Sequence, residues 1–194
     1  MTQAVHSAED VEYVSALFPE VELISDPELR ARVIEIWIEC WHESSWAHIE
    51  DAPKNPDLGM GRPLHQHVRA VTQQAVATAD IVRERHGIAA DGDTLLAASL
   101  LHDVSKLVEY QSDGSGGTEK SRLGKLSQHG VYGAHKAWEK GLPEEIIHII
   151  ISHTHNSNVP PRTLEGVIVH YVDYLDTDAL LFDAGGKLDL HKRW

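Results

Sequence analysis

Apolar positions along this chain recur almost everywhere at the three- and four-residue spacing of one helical face, and no alternation of apolar and polar residues lasts beyond a few positions. The pattern predicts an all-α protein. A short helix is expected over residues 9–18, then a longer one started at Ser25-Asp26-Pro27, a capping residue followed by a proline at the first helical position. Its apolar stripe is Leu29, Val33, Ile36, Trp37, Cys40 and Trp41. Residues 51–63 hold three prolines and two glycines and read as a loop between this N-terminal part and the remaining helices. The next helix is expected over 64–86 and ends at Gly87, with His67, Val71, Ala75, Thr78 and Val82 on one face. Asp93 is the expected N-cap of the helix that carries LLAASLLHDVSKL, residues 95–107. Residues 111–121, QSDGSGGTEKS, read as a flexible loop. Three more helices are expected. One covers 128–140 and is closed by Gly141; another opens at Pro143 and carries Ile146, Ile149, Ile150 and His153; the last covers 164–181 with Val169, Val172, Asp173 and Asp176 in phase.

Length and composition narrow the setting. A chain of 194 residues buries about 70% of its unfolded surface when it folds as one unit. The expected division is an N-terminal helical extension, 1–60, joined to a main domain, 61–194, in a single globular whole. Cys40 is the sole cysteine, which excludes an intrachain disulfide framework and a thiolate zinc site and points to the reducing cytoplasm. No apolar run approaches the roughly 18 residues of a membrane span, and MTQAVHSAED lacks the basic start and apolar centre of a secretory leader. A net charge of -13 opposes binding to a long nucleic acid. The 14 histidines change this locally, because clustered imidazoles hold divalent cations and so create a positive centre for a small anion.

The stretch 95–107 is too apolar to face water, yet it carries His102 and Asp103 side by side with Lys106 one turn later. The other helices do the same. His67, His129, His153 and Asp173 each stand where an apolar stripe calls for a hydrophobe. Burying one such group without a partner costs a few kcal/mol. A single buried histidine is more often a satisfied core residue, but six such groups on facing helices call for one shared partner, one or two divalent metals. His65 competes with His67, and His67 is the one in phase with Val71 and Ala75. His148, His155 and His170 lie off their stripes. Lys106 either meets a phosphate or complements the end of its helix, and Asp176 either orients a ligand or caps a helix end.

In this order, His67, His102-Asp103, His129, His153 and Asp173, the chain resembles the HD-domain superfamily of phosphohydrolases over about residues 63–176. HD followed by Lys106 is the most specific part, supported by HVRAVTQQA, QHGVYGA, GLPEEIIHIIISH and HYVDYLD. The resemblance implies a bundle of five core helices around the metal site, with extra N-terminal helices. His129 and His153 match the subset that binds two metals. By that analogy His67, His102 and Asp173 hold the first metal and His129 with His153 the second. Neighbouring residues on a helix point about 100° apart, so Asp103 rather than His102 bridges the two. The donors suit two divalent transition metals, iron or manganese first, with zinc, cobalt and nickel also compatible.

The implied activity is hydrolysis of a small phosphorylated metabolite or nucleotide by a metal-bridged hydroxide. Asp103 and Lys106 are the implied catalytic residues, and Lys106, Lys120, Arg122 and Lys125 contact the substrate. His153 is followed by Thr154, His155 and Asn156, without the Gly-Tyr-Pro loop of cyclic-dinucleotide phosphodiesterases. The same ligands serve two alternatives, a mixed-valent diiron oxygenase and a non-catalytic, metal-stabilised module that binds a nucleotide or phosphate. Residues 1–60 lie outside the resemblance and either cap the pocket or pair subunits in a homodimer.

Overall fold

The computed structural model describes residues 6–58 and 60–188. Residues 1–5, on which part of the leader expectation rests, Gly59 within the expected loop 51–63, and the last six residues of the expected domain 61–194 lie outside the described residues.

Helix α1 (Ala8–Leu17) is capped by Ser7, whose hydroxyl accepts from the Asp10 N–H. Helix α2 (Pro27–His42) starts as its sequence predicts, with the Asp26 carboxylate accepting from the N–H groups of Glu28 and Leu29. The expected loop 51–63 is instead an antiparallel ribbon of β1 (Pro53–Asn55) and β2 (Met60–Pro63). A two-stranded ribbon consists only of edges, so its prolines forfeit few ladder bonds. Helix α3 (Leu64–His86) ends at Gly87, which takes φ 69°, a left-handed conformation that glycine adopts freely.

Helix α4 (Gly92–Leu101) is capped by Asp91, not Asp93. The Asp93 carboxylate is recruited elsewhere, accepting from Ser25 N–H and Oγ and from Asp26 N–H at 2.7–2.9 Å. The helix expected through Leu107 also stops early, at Leu101, and restarts as the single turn α5 (Lys106–Glu109). Side chains claim the carbonyls that would continue it. His102 Nδ1 bonds to Ser99 O at 2.7 Å, and the Trp37 indole donates to Leu100 O at 3.0 Å. The backbone then closes with tighter bonds, Val104 N to Leu101 O and Lys106 N to Asp103 O. On the far side, the Trp46 indole donates to Leu107 O at 3.1 Å.

The expected loop 111–121 is a second hairpin, β3 (Tyr110–Ser112) with β4 (Thr118–Lys120). Its turn is tied by the Asp113 carboxylate, which accepts from the N–H groups of Ser115 and Gly117. Helices α6 (Arg122–Leu126), α7 (His129–Glu139), α8 (Glu144–Ser152) and α9 (Leu164–Asp183) complete the chain.

The fold is all-α, with two small ribbons added. Every residue from Leu95 to Leu101 is buried, so α4 is apolar all round and lies at the centre, packed by α2, α3, α8 and α9. Phe18, Ile24, Val33, Ile36 and Trp37 from the N-terminal part join one continuous core with Leu100, Ile149 and Val169. Where α7 crosses α8, a Cβ on Gly130 would lie 2.8 Å from the Ile150 carbonyl oxygen. Only glycine permits that approach, which brings the start of α7 to the end of α8.

Candidate metal centre

Six residues converge from five helices or their ends. His67 comes from the first turn of α3, His102 and Asp103 from the turn after α4, His129 from the first residue of α7, His153 from just past α8, and Asp173 from the middle of α9. His67, His102, Asp103 and His153 are at most 1% exposed, so their polar atoms are withdrawn from bulk water. His65, the competing residue, is half-buried and is not among the grouped donors.

Backbone and side-chain partners fix the imidazoles. Nδ1 of His67 lies 2.6 Å from Asp176 Oδ2, Nδ1 of His102 is bonded to Ser99 O, and Nδ1 of His153 to Ile150 O at 2.8 Å. Each Nδ1 therefore carries its proton, and each Nε2 presents a lone pair inward. Two of these lone pairs face one another, His67 Nε2 and His102 Nε2, at 3.2 Å. Nε2 atoms of His129 and His153 are likewise 3.2 Å apart. Facing lone pairs repel unless a cation lies between them.

Asp103 divides its carboxylate between the two pairs. Oδ2 lies 3.5 Å from His67 Nε2 and 3.7 Å from His102 Nε2. Oδ1 lies 3.2 Å from His129 Nε2 and 3.5 Å from His153 Nε2, and it is buried without a hydrogen-bond partner. Asp173 Oδ1 is 3.1 Å from His67 Nε2. Two ligands on one ion, at bonds near 2.1 Å and angles of 90–110°, stand about 3.0–3.4 Å apart. The donors thus fit two groups that could each hold a metal ion, His67, His102, Asp103 and Asp173 in one and Asp103, His129 and His153 in the other. No thiolate is among them.

Electrostatics keep the donors in their ligating forms. Burial pushes His102 down to about 4, and burial together with the neighbouring Lys106 holds His129 well below the usual imidazole range. Burial opposes ionisation of Asp103, but Lys106 and the surrounding imidazoles outweigh it and hold the carboxyl well below its usual range. Asp173 is held down in the same way, against burial, by Lys54 and His67. At neutral pH these are neutral imidazoles and ionised carboxylates.

The cluster opens into a cavity lined by Asp103, His129, His153 and Asp173, and also by Lys54, Asn55, Lys106, Thr154, His155, Tyr174 and Thr177. Lys106 is buried there, 4.0 Å from Asp103 and 3.6 Å from Glu109. It stands in the single four-residue turn α5, which keeps the helix-dipole reading open, but it is buried against two carboxylates at the cavity wall. Lys120, Arg122 and Lys125 are not brought to the cavity. Lys120 pairs with Glu109 at 3.3 Å, Lys125 pairs with Glu119 at 3.6 Å, and Arg122 is exposed. Asp176 orients a candidate ligand, clamped between His67 and Arg62.

Lys54 and Asn55 went unread in the sequence, because a proline-bounded segment gives no period that says which side chains turn inward. Glu109 was missed for a similar reason. It is buried near His129 Nδ1, at 3.6 Å, but lies in a single turn too short to show a stripe.

The family model of the HD domain matches residues 64–178. The chain is 30% identical over 165 residues to the dihydroneopterin 2',3'-cyclic phosphate phosphodiesterase of Methanocaldococcus jannaschii, an alignment that covers 80% of this chain and 66% of that protein. It is 29% identical over 83 residues to ribonuclease Y of Salinispora arenicola, covering 43% of this chain and 12% of the other. The chain therefore spans less than two thirds of the length of these relatives. No solved structure matches it. Among the described residues, no helix is long and apolar enough to cross a membrane.

Proposed function

The chain belongs to the HD domain family, and from that premise we propose that it is a metal-dependent hydrolase of small phosphoric esters. The observation that carries this reading is the sharing of one buried carboxylate, Asp103, between two sets of inward-facing imidazoles. His67, His102 and Asp173 would hold one ion, His129 and His153 the other, and Asp103 both. When bound, two divalent transition metals, iron or manganese by preference, would supply Lewis acidity toward a phosphoryl oxygen and would make a water nucleophilic near neutral pH.

The chain's own residues do the rest. Asp176, Ser99 O and Ile150 O hold the imidazole rings in one tautomer and one direction. Lys106 stands at the cavity wall, where its ammonium pairs with a phosphate oxygen as charge develops in the transition state. Its Nζ is kept in place by the Asn55 side-chain oxygen at 3.4 Å. The relative named for a 2',3'-cyclic phosphate supports a cyclic phosphodiester of a small metabolite as the first substrate to try.

The test is a panel of 2',3'-cyclic phosphates, phosphomonoesters and nucleotides, offered to protein loaded anaerobically with iron or manganese. Ring opening or phosphate release that depends on metal and is lost in Asp103→Ala supports the reading. Metal-dependent oxygen consumption without hydrolysis would replace it with the oxygenase, and ligand binding with neither reaction would leave a binding module.

A further inference from the structure

One strand brings two consecutive residues to the cavity. The register of the β1–β2 ribbon shifts between Pro53 and Asn55, and Lys54 and Asn55 both line the site. Asn55 steadies Lys106. Lys54 is only 5% exposed, its Nζ lies 3.1 Å from Asp173 Oδ1, and it also donates to the Thr177 hydroxyl. The ribbon precedes residue 64, so this lysine comes from outside the segment that the family model matches.

Charge explains what a second buried ammonium is for. Asp103, Asp173 and Glu109 bring three negative charges, which Lys54, Lys106 and Lys120 match, and so the side chains by themselves are balanced. Two divalent cations would leave four positive charges in excess. With a cation on the Asp173 carboxylate, the Lys54 ammonium would lose much of its present counter-charge while staying buried, a costly arrangement unless another anion arrives.

We propose that Lys54 is a substrate-binding residue, a second ammonium that grips the substrate's phosphoryl group beside Lys106 and selects anionic phosphoric esters over uncharged ones. This deepens the hydrolase reading and rests on it. The alternative role for Lys54 is structural, neutralising Asp173 and no more.

The experiment titrates inorganic phosphate into manganese-loaded wild type and Lys54→Met by calorimetry, with metal content counted on the same samples. The expected result is unchanged metal content with phosphate affinity lowered about tenfold or more, the size of a lost charge-assisted hydrogen bond. Lys54→Arg, which keeps the charge, should recover most of it. With a substrate in hand, KM should rise by a larger factor than kcat falls. Phosphate affinity within about twofold of wild type at full metal content overturns the proposal. Loss of metal from Lys54→Met also overturns it, by assigning Lys54 to the support of Asp173.

If Lys54→Met does not fold, Thr177→Val removes only the hydroxyl that fixes the ammonium. About a threefold loss of phosphate affinity with metal retained then supports the proposal, and no loss overturns it. Wild type that holds metal but neither binds phosphate nor hydrolyses any ester refutes the hydrolase reading as well. Wild type that binds phosphate, beside a variant that binds it equally, refutes this inference alone.

Discussion

Asp176→Ala separates the two candidate metal positions. Asp176 lies among the buried residues at 8% exposure, and its carboxylate accepts from His67 Nδ1 at 2.6 Å, from Arg62, and from Gln74 Nε2 at 3.4 Å. Removing it leaves the Nδ1–H of a fully buried His67 without an acceptor, a cost of about 1–3 kcal/mol. For a chain of this length that lowers the melting temperature of metal-free protein by roughly 2–12 °C. A histidine no longer oriented by a carboxylate also loses about 10–100-fold in metal affinity. That second loss is local, because the other pair has its own surroundings: His153 Nδ1 bonds to Ile150 O, and His129 Nδ1 lies 3.6 Å from Glu109. At a buffered free metal concentration where wild type holds two ions, Asp176→Ala should hold about one. Asp176→Asn keeps an acceptor oxygen and should fall in between. The assays are thermal unfolding in chelator and elemental analysis after dialysis against buffered manganese. Equal loss of both ions, or of neither, would refute the assignment of Asp176 to His67 alone.

Other outcomes are expected from the same geometry. Asp103→Ala should abolish turnover and lower metal content at both positions, since one carboxylate serves both; full loading with retained turnover, by elemental analysis and steady-state kinetics, would end the shared-ligand picture. Gly130→Ala drives a methyl group to within 2.8 Å of the Ile150 carbonyl; it should cost about 1–3 kcal/mol by denaturant titration and depress activity by displacing His129 from His153. The pH dependence stems from His102, which burial holds down to about 4 while an exposed imidazole titrates near 6.5. Below about 6.5 the unfolded chain binds a proton that the folded chain refuses, so metal-free protein keeps its full stability above that pH and loses it as pH falls toward 4, by on the order of 3 kcal/mol for this one group. His129 acts in the same direction, and because His102 stays unprotonated in the folded chain, protons compete with metal for it only as pH approaches about 4. Urea titrations in chelator at pH 7.5 and 5.0 measure the effect, and equal or greater stability at pH 5.0 would contradict it.

The helices were legible in the chain because their apolar stripes are long and their ends are signalled by Asp26-Pro27, Gly87 and Gly141. His67, His102, Asp103, His129, His153 and Asp173 could be read together for a related reason, as each interrupts a stripe that defines its direction. Legibility failed where long-range partners override local preference. Asp93 has the chemistry of an N-cap, but Ser25 and Asp26 claim it. The helix through His102 has every local reason to continue, yet Trp37, 63 residues before Leu100, takes one of its carbonyls. Segments 51–63 and 111–121 carry turn chemistry that does not distinguish a loop from a short hairpin, and so Lys54 and Asn55 were invisible. Lys120, Arg122 and Lys125 suggested a substrate contact through charge alone, and charge without a stripe says nothing about where a side chain points.

Two indole N–H groups hold the backbone on either side of the His102–Lys106 turn, Trp37 on Leu100 O and Trp46 on Leu107 O. Any rearrangement of that turn as the donors around Asp103 are filled must alter the polarity felt by one ring or the other. The chain thus contains its own optical reporter, and intrinsic emission followed through a metal titration reads the occupancy of the turn without a label. Trp37→Phe and Trp46→Phe would divide the signal, assigning motion to the end of α4 or to the start of α5.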